Sequence, residues 1–175
     1  MSARALLALP NLLSLARFPL AAAFVMWDSP PARVAVLGAA SVTDLLDGWL
    51  ARRRGMATRF GALLDPIADK SFVLTALAVF AARGELSLPF LFLILARDIA
   101  TAAGFVVAWR TSGLDPGAFR ARWMGKLTTV LQLLALLLLI VRPHWLPRLI
   151  PFIAVSSALA IADYTLSLAR SRQQA

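Results

Sequence analysis

Six long apolar stretches occupy most of this 175-residue chain and limit the folds that are open to it. Each is close to the roughly 20 residues that an α-helix needs to cross the hydrocarbon core of a bilayer. Breaks that contain proline, glycine or clustered charges separate them. The sequence therefore predicts an all-α integral membrane protein, a single domain over residues 1–175 with six transmembrane helices and a short N-terminal amphipathic segment. The predicted spans are residues 11–27, 32–50, 60–82, 88–109, 123–141 and 146–168, and the amphipathic segment is residues 2–9.

The composition excludes several other classes of protein. Hydrophobic residues make up 60% of the chain and charged residues 15%. The residues outside the six predicted spans are too few for a second, water-soluble domain of normal size. The absence of cysteine excludes a disulfide framework and thiol catalysis. The one histidine, His144, cannot supply a histidine-rich metal site, and we expect it in a solvated loop. Any chemistry must therefore depend on side chains of the membrane helices.

The basic residues favour one side of the predicted membrane. Lys and Arg number 18 against 9 acids, a formal net charge of +9. In a soluble protein this excess indicates nucleic-acid binding, whereas in a membrane protein it is typical of loops that face anionic cytoplasmic lipid. Most basic residues lie near the termini and in the segments 51–59 and 110–126. We therefore expect a multi-pass protein of the bacterial inner membrane, with both termini and the active site facing the cytoplasm and no nucleic-acid partner.

Four of the nine acidic residues fall between positions 44 and 69. Asp44 and Asp47 are three residues apart in the second span, and Asp65 and Asp69 are four apart in the third. Residues at these spacings share a helix face, so we expect the four carboxylates to converge near the cytoplasmic interface. Close carboxylates require protonation or a cation, and all-oxygen ligands suit Mg²⁺, Mn²⁺ or Ca²⁺. A carboxylate that the metal does not use could act as a general base.

Small residues and an arginine flank these acids. Gly48, Ala51 and Gly61 would let a bulky ligand or a facing backbone approach closely. Arg52 adds a planar guanidinium that is suited to a phosphate group. Together the acids, the small residues and the arginine predict a diphosphate-binding site.

These eight residues form a pattern that resembles the signature of the CDP-alcohol phosphotransferases, D-x-x-D-G-x-x-A-R-x8-G-x-x-x-D-x-x-x-D, with every fixed position filled. The resemblance extends along the chain. Residues 10–17, PNLLSLAR, are similar to the first-span motif of the family. Residues 64–70, LDPIADK, are similar to a motif of its phosphatidylglycerophosphate and cardiolipin synthase branch. Residues 125–129 and Gln132 resemble the start of its fifth span.

The resemblance implies a function and a set of roles. Members transfer the phosphatidyl group of CDP-diacylglycerol to an alcohol, release CMP, span the bilayer six times and usually form homodimers. By the same resemblance two Mg²⁺ or Mn²⁺ ions are ligated by Asp44, Asp47, Asp65 and Asp69. Asp69 also serves as the general base. Asp44, Gly48, Ala51, Arg52 and Gly61 line the CMP and diphosphate site.

The acceptor alcohol stays open between two glycerol-type compounds. Glycerol-3-phosphate users of this branch typically carry R-E-[FI] in the fourth span and a second arginine eight residues after the first. This chain has Arg97-Asp98-Ile99 and then Phe105, which is more similar to the cardiolipin synthases, whose acceptor is phosphatidylglycerol. The candidate acceptor-binding residues are Asn11, Arg17, Arg97 and Lys126.

A rival hypothesis is a small divalent-cation transporter or channel subunit. Such a protein also places carboxylates within membrane helices. The transporter hypothesis does not explain the glycines, alanine and arginine at fixed offsets from the acids. The positive charge of Arg52 would also repel a cation on such a path.

Several further expectations concern single residues. Lys70 is expected to be a charge partner of the aspartates. Arg97 and Asp98 are adjacent and point to different faces, so each needs its own partner. Close helix packing is expected at Gly38, Ala39, Ala40 and Gly104.

Overall fold

The chain is all-α over the residues that its structure, a computed structural model, describes: 9–54, 59–110 and 123–173. Side chains are described over residues 12–46, 67–104 and 123–166, apart from Met124. No strand occurs in these ranges, which confirms the predicted fold class at that level. The elements are α1 (Leu9–Leu15), α2 (Arg17–Met26), α3 (Pro30–Arg54), α4 (Arg59–Ala82), α5 (Leu88–Arg110), α6 (Trp123–Val141), a 3-10 turn (Pro143–Trp145) and α7 (Leu146–Gln173).

The helices follow the predicted spans closely, with one difference in the first. That span is broken at Ala16 into α1 and α2. Pro19 supplies the physical reason, because it has no N–H to donate to the carbonyl of Leu15 and its ring crowds that carbonyl. The hydrogen bonds on either side, from Ala16 N to Leu12 O (2.9 Å) and from Leu20 N to Ala16 O (3.2 Å), are kept. The amphipathic segment at residues 2–9 lies almost entirely outside the described residues.

The helices group into two compact units, Met1–Glu85 and Leu86–Ala175. In the first unit, α1 and α2 both pack against α3 and α4. Its core includes Phe24, whose ring meets Phe72 and Phe80 edge-on at centroid distances of 6.0 and 6.1 Å. In the second unit, α7 packs against α5 and α6 around Ile94, Leu136 and Ile153. That the whole chain forms one domain stays a prediction.

Gly84 ends the first unit's last helix in a left-handed conformation, with φ +72°. Glu85 N donates to Phe80 O (2.9 Å) and Gly84 N donates to Ala81 O (3.0 Å). This pair of bonds is the Schellman motif, which satisfies the last carbonyls of a helix and requires a residue that tolerates positive φ. The break between the predicted spans 60–82 and 88–109 therefore begins with a helix C-cap at Gly84.

One described helical stretch, Pro143–Leu166, is long and apolar enough to cross a membrane, with 24 residues and a mean hydropathy of 1.7. Leu12–Met26 and Gly125–Val141 are apolar but shorter. The core helix of a soluble protein can meet the same criteria, so the six transmembrane spans stay a prediction.

Two residues outside the signature motif, His144 and Gly38, are both exposed in the structure. His144 is exposed in the 3-10 turn, as predicted. Gly38 was expected in close packing, but it is exposed on α3 and a Cβ there would meet nothing within 4 Å. The prediction for Gly38 is wrong, because the helix turns that residue away from its neighbours.

Arg33 is buried although it lies beside a loop, with only 4% of its surface exposed. Its guanidinium lies 5.3 Å from the ring centres of both Phe24 and Phe80. It donates to Trp27 O (3.0 Å) and to Asp28 Oδ1 (2.9 Å), and Asp28 also pairs with Arg83. Cation–π contacts and these bonds compensate the burial of the charge and join α2, α3 and the end of α4.

We therefore expect Arg33→Ala to lower the free energy of unfolding by about 2–4 kcal/mol, from the lost contacts and the cavity left behind. The measurement is thermal unfolding in detergent. Arg148→Ala is the matched control, since Arg148 lies over the exposed Trp145 ring at 4.8 Å, where such a contact contributes less than about 1 kcal/mol. Equal shifts for the two variants would contradict the stabilising role of Arg33.

Candidate functional site

The first unit brings Asp44 of α3 against Arg17 of α2. Arg17 Nη2 lies 2.9 Å from Asp44 Oδ1. The arginine side chain is 1% exposed and the aspartate side chain 45% exposed, so the pair joins a buried cation to a carboxylate at the surface of the unit. A buried charge requires such compensation. Asp44 therefore has one oxygen held by Arg17, while part of its carboxylate is still accessible.

The break in the first span places Arg17 for this contact. Arg17 is the first residue of α2, directly after Ala16. Pro19 causes the break from within the following turn. The motif at residues 10–17 thus ends in a side chain that neutralises one of the signature aspartates. An acceptor-binding role for Arg17 stays a prediction.

Asp69 of α4 lies beside a second cation. Lys70 Nζ is 3.8 Å from Asp69 Oδ2, and both side chains are partly exposed. This contact confirms Lys70 as a charge partner of at least one signature aspartate. The separation is close to the limit for an ion pair, so the attraction is modest.

The other signature residues lie on the same two helices, but their side chains are outside the described set. Asp47, Gly48, Ala51 and Arg52 belong to α3, and Gly61 and Asp65 belong to α4. Asn11 belongs to α1 and is in the same position. The helical backbone supports the i+3 and i+4 spacing that puts each aspartate pair on one face. Within the described side chains there is no group of three or more potential metal ligands, and convergence of the four carboxylates stays a prediction.

The second unit holds a polar cluster, defined here as Arg97, Asp98, Thr129, Gln132 and Tyr164, which we call the Arg97 cluster. Arg97 Nη1 lies 3.3 Å from Asp98 Oδ1 and 3.3 Å from Thr129 Oγ1, and Nη2 lies 3.5 Å from the Tyr164 hydroxyl. Gln132 Nε2 donates to Asp98 Oδ2 and to Ile94 O, both at 2.7 Å. The adjacent Arg97 and Asp98 each have other partners, as expected, but they also contact each other.

Gly125 makes room for this cluster at the start of α6. A Cβ at this position would lie 2.7 Å from Arg97 Nη2 and 3.0 Å from the Tyr164 hydroxyl. Both distances are shorter than ordinary van der Waals contact, so only glycine fits here without displacement of the guanidinium. The neighbouring Lys126 is exposed, and its Nζ lies 5.6 Å from the centre of the Trp123 ring.

Sequence reasoning missed Tyr164. It is the only tyrosine of the chain, and it lies in an apolar last helix where a hydroxyl requires a partner when buried. The Tyr164 hydroxyl, isolated among apolar residues, was the one sequence feature that could have indicated a buried polar contact. Its partner, Arg97, lies 67 positions earlier, and no local pattern indicates the pairing.

Residues 7–168 match the sequence profile of the CDP-alcohol phosphatidyltransferases, nearly the whole chain. The chain belongs to the CDP-alcohol phosphatidyltransferase family. The match confirms the resemblance that the eight-residue signature indicated. It also shows that the two compact units both lie within one family region.

Named relatives in this family come from several bacteria. The CDP-diacylglycerol–glycerol-3-phosphate 3-phosphatidyltransferase of Escherichia coli strain K12 is 36% identical over 146 residues, covering 78% of each chain. A probable phosphatidylglycerophosphate synthase of Mycobacterium tuberculosis strain H37Rv is 40% identical over 102 residues. That match covers 58% of this chain and 46% of the mycobacterial protein, so this chain matches less than half the length of that relative.

The close approach at Gly125 leads to a prediction. We expect Gly125→Ala to displace the Arg97 guanidinium and to leave the protein about 1–3 kcal/mol less stable than Gly38→Ala does, the usual cost of overpacking, since both helical positions share the preference for alanine. Gly38→Ala is the matched control, because its added methyl meets open space and a helical alanine is about 1 kcal/mol more favourable than glycine. Thermal unfolding of both variants in detergent checks this. A Gly125→Ala protein as stable as Gly38→Ala would contradict the crowding.

Proposed function

We propose that this chain is a metal-dependent phosphatidyltransferase that moves the phosphatidyl group of CDP-diacylglycerol to glycerol-3-phosphate and releases CMP. The observation that carries the proposal is the family match over residues 7–168, with all eight signature residues at their fixed spacing. The names of the Escherichia coli and Mycobacterium tuberculosis relatives support glycerol-3-phosphate as the acceptor.

The four signature aspartates are the proposed ligands for two Mg²⁺ or Mn²⁺ ions. Their donor set suits the metal, because hard divalent cations prefer carboxylate oxygens and the described pair, Asp44 and Asp69, is partly exposed. When bound, the ions would neutralise the diphosphate and the leaving CMP. Arg17 holds one oxygen of Asp44 and limits the directions in which the other can point.

Asp69 is the proposed general base in the transfer step. Its carboxylate takes the proton of the acceptor hydroxyl as the hydroxyl oxygen attacks the phosphorus of the phosphatidyl group. A new phosphorus–oxygen bond forms, and the bond to the CMP phosphate breaks. Gly48, Ala51, Arg52 and Gly61 would hold the CMP portion.

Arg97 is the proposed anchor for the phosphate of the acceptor. Its guanidinium is always charged and lies in the middle of a mostly apolar helix, and such a group in a membrane helix is usually functional. Asn11, Arg17 and Lys126 are the further candidates. One sequence feature favours a second acceptor, phosphatidylglycerol, because Phe105 stands where glycerol-3-phosphate users typically have a second arginine.

We also propose that the chain spans the bacterial inner membrane six times as a homodimer, with its site facing the cytoplasm. The described helices match the predicted spans, and CDP-diacylglycerol is itself a lipid. Trp27, Trp123 and Trp145 are exposed at helix ends, where aromatic side chains of membrane proteins often meet the interface.

The test is CMP release by purified protein in detergent with CDP-diacylglycerol. We expect release with Mg²⁺ or Mn²⁺, none after chelation with EDTA, and recovery when metal is restored. Glycerol-3-phosphate and phosphatidylglycerol are supplied separately to identify the acceptor. Ion flux in liposomes without CMP release would overturn the proposal in favour of the cation transporter.

A further inference from the structure

We propose that Gln132 and Asp98 are positioning residues that lock the Arg97 guanidinium for the phosphate of the acceptor. This inference rests on the proposed function only in giving Arg97 that phosphate. The remainder rests on contacts within the second unit.

A residue from another helix must orient the Asp98 carboxylate toward Arg97. Consecutive residues of an α-helix project about 100° apart, so Asp98 does not face Arg97 by helix geometry alone. Gln132, on α6, orients this carboxylate through a 2.7 Å hydrogen bond from its Nε2 to Asp98 Oδ2. The other oxygen, Oδ1, is then directed to Arg97 Nη1 at 3.3 Å.

The orientation of the Gln132 amide is determined by its neighbours. Its Nε2 has two acceptors, Asp98 Oδ2 and Ile94 O, and a reversed amide would set an oxygen against both. Its Oε1 is buried and has no hydrogen-bond partner among the described residues. An unsatisfied buried oxygen is unfavourable for folding, so this glutamine is not an optimal choice for stability alone.

Arg97 keeps N–H groups on Nε and Nη2 that have no acceptor in the described part of the chain. The residue is 8% exposed, its Nη1 and Nη2 are engaged, and its Nε is buried without an acceptor in the described part of the chain. The bonds to Thr129 and Tyr164 are long, at 3.3 and 3.5 Å, as is usual for sites that tighten when substrate binds. A phosphate oxygen is the acceptor that a fixed guanidinium edge suits best.

The experiment compares Gln132→Met, which keeps the length of the side chain but removes the donor, with Ser157→Ala. Ser157 is a matched control because its buried Oγ also has no described partner and it lies outside the Arg97 cluster. We expect Gln132→Met to raise the KM for the acceptor about tenfold, the loss of one bond to a charged group, with kcat and the KM for CDP-diacylglycerol unchanged. Tyr164→Phe should shift the same KM in the same direction.

The acceptor KM of a double variant distinguishes a positioning role of Gln132 from a purely structural one. Arg97→Gln combined with Gln132→Met should have the acceptor KM of Arg97→Gln alone, because the glutamine acts only through the arginine. Calorimetric binding of glycerol-3-phosphate to each protein without CDP-diacylglycerol gives a readout that does not require turnover. An unchanged acceptor KM and affinity in Gln132→Met, with only a lower unfolding temperature, would overturn the inference.

The inference and the proposed function fail in different ways. If phosphatidylglycerol proves to be the acceptor, glycerol-3-phosphate is rejected, and the same KM comparison with phosphatidylglycerol decides the positioning role. If the protein binds glycerol-3-phosphate but releases no CMP, the proposed activity is rejected, and the binding comparison decides the positioning role.

Discussion

Asp69→Asn is expected to reduce CMP release by about 10²–10⁴-fold while the protein stays folded. Asparagine has the shape of aspartate but cannot take a proton at neutral pH, and it is a poorer ligand for a divalent cation. The measurement is the initial rate of CMP release in detergent at saturating metal. Circular dichroism should be nearly unchanged, since asparagine keeps the shape of the aspartate side chain.

Asp28→Asn is the control for Asp69→Asn. Asp28 is also an aspartate bound by basic side chains, yet it lies just before α3 begins at Pro30, 16 residues before Asp44. At about 1.5 Å per helical residue, about 21 Å of α3 separates Asp44 from the start of that helix. We expect Asp28→Asn to lower stability and to keep the rate of CMP release. An active Asp69→Asn enzyme would reject the assignment of the general base.

Asp44→Asn is expected to abolish activity and to lower the free energy of unfolding by about 3 kcal/mol. The loss of stability arises because Arg17 is 1% exposed and would lose a carboxylate partner 2.9 Å from its Nη2. Removing one partner of a buried ion pair usually costs about 3–5 kcal/mol, and the partial exposure of Asp44 places this pair at the lower end.

The double variant Arg17→Met/Asp44→Asn separates stability from chemistry. The double variant removes the buried guanidinium together with its carboxylate partner, so we expect most of the lost stability to return. We expect no return of CMP release, because the signature carboxylate is still absent. Thermal unfolding and CMP release, measured on the same preparations, check both halves. A double variant with restored activity would show that Asp44 serves only to compensate Arg17.

Much of the fold could be predicted because apolar length and breakers are local properties. The predicted spans 88–109 and 123–141 correspond to α5 and α6 almost residue for residue. The break at Ala16 was missed although its cause, Pro19, is visible in the middle of the first predicted span, because the apolar length of residues 11–27 was taken as one continuous helix. The positions of the aspartates on α3 and α4 follow from their numbering alone.

The partners of buried charges could not be predicted, because they depend on which helices pack together. Arg33 lies at the start of the second predicted span, where no local pattern identifies its surroundings, yet it is buried between Phe24 and Phe80. Gly38 was expected in a helix contact and faces open space, whereas Gly125 is the glycine that a side chain crowds. A glycine's surroundings are a property of the neighbouring helices and leave no trace in local sequence.

By itself the sequence determined the all-α class, the six apolar stretches and the family signature, because each depends on residue type and spacing along one chain. Only the tertiary structure decided that Arg17 compensates Asp44 and that Gln132, Asp98 and Tyr164 surround Arg97. The physical reason is that a charge in an apolar interior must be neutralised by whatever group packing brings within about 3 Å. The six apolar stretches thus have a second role. Their side chains surround the few buried polar groups, so that each of these groups has few possible partners.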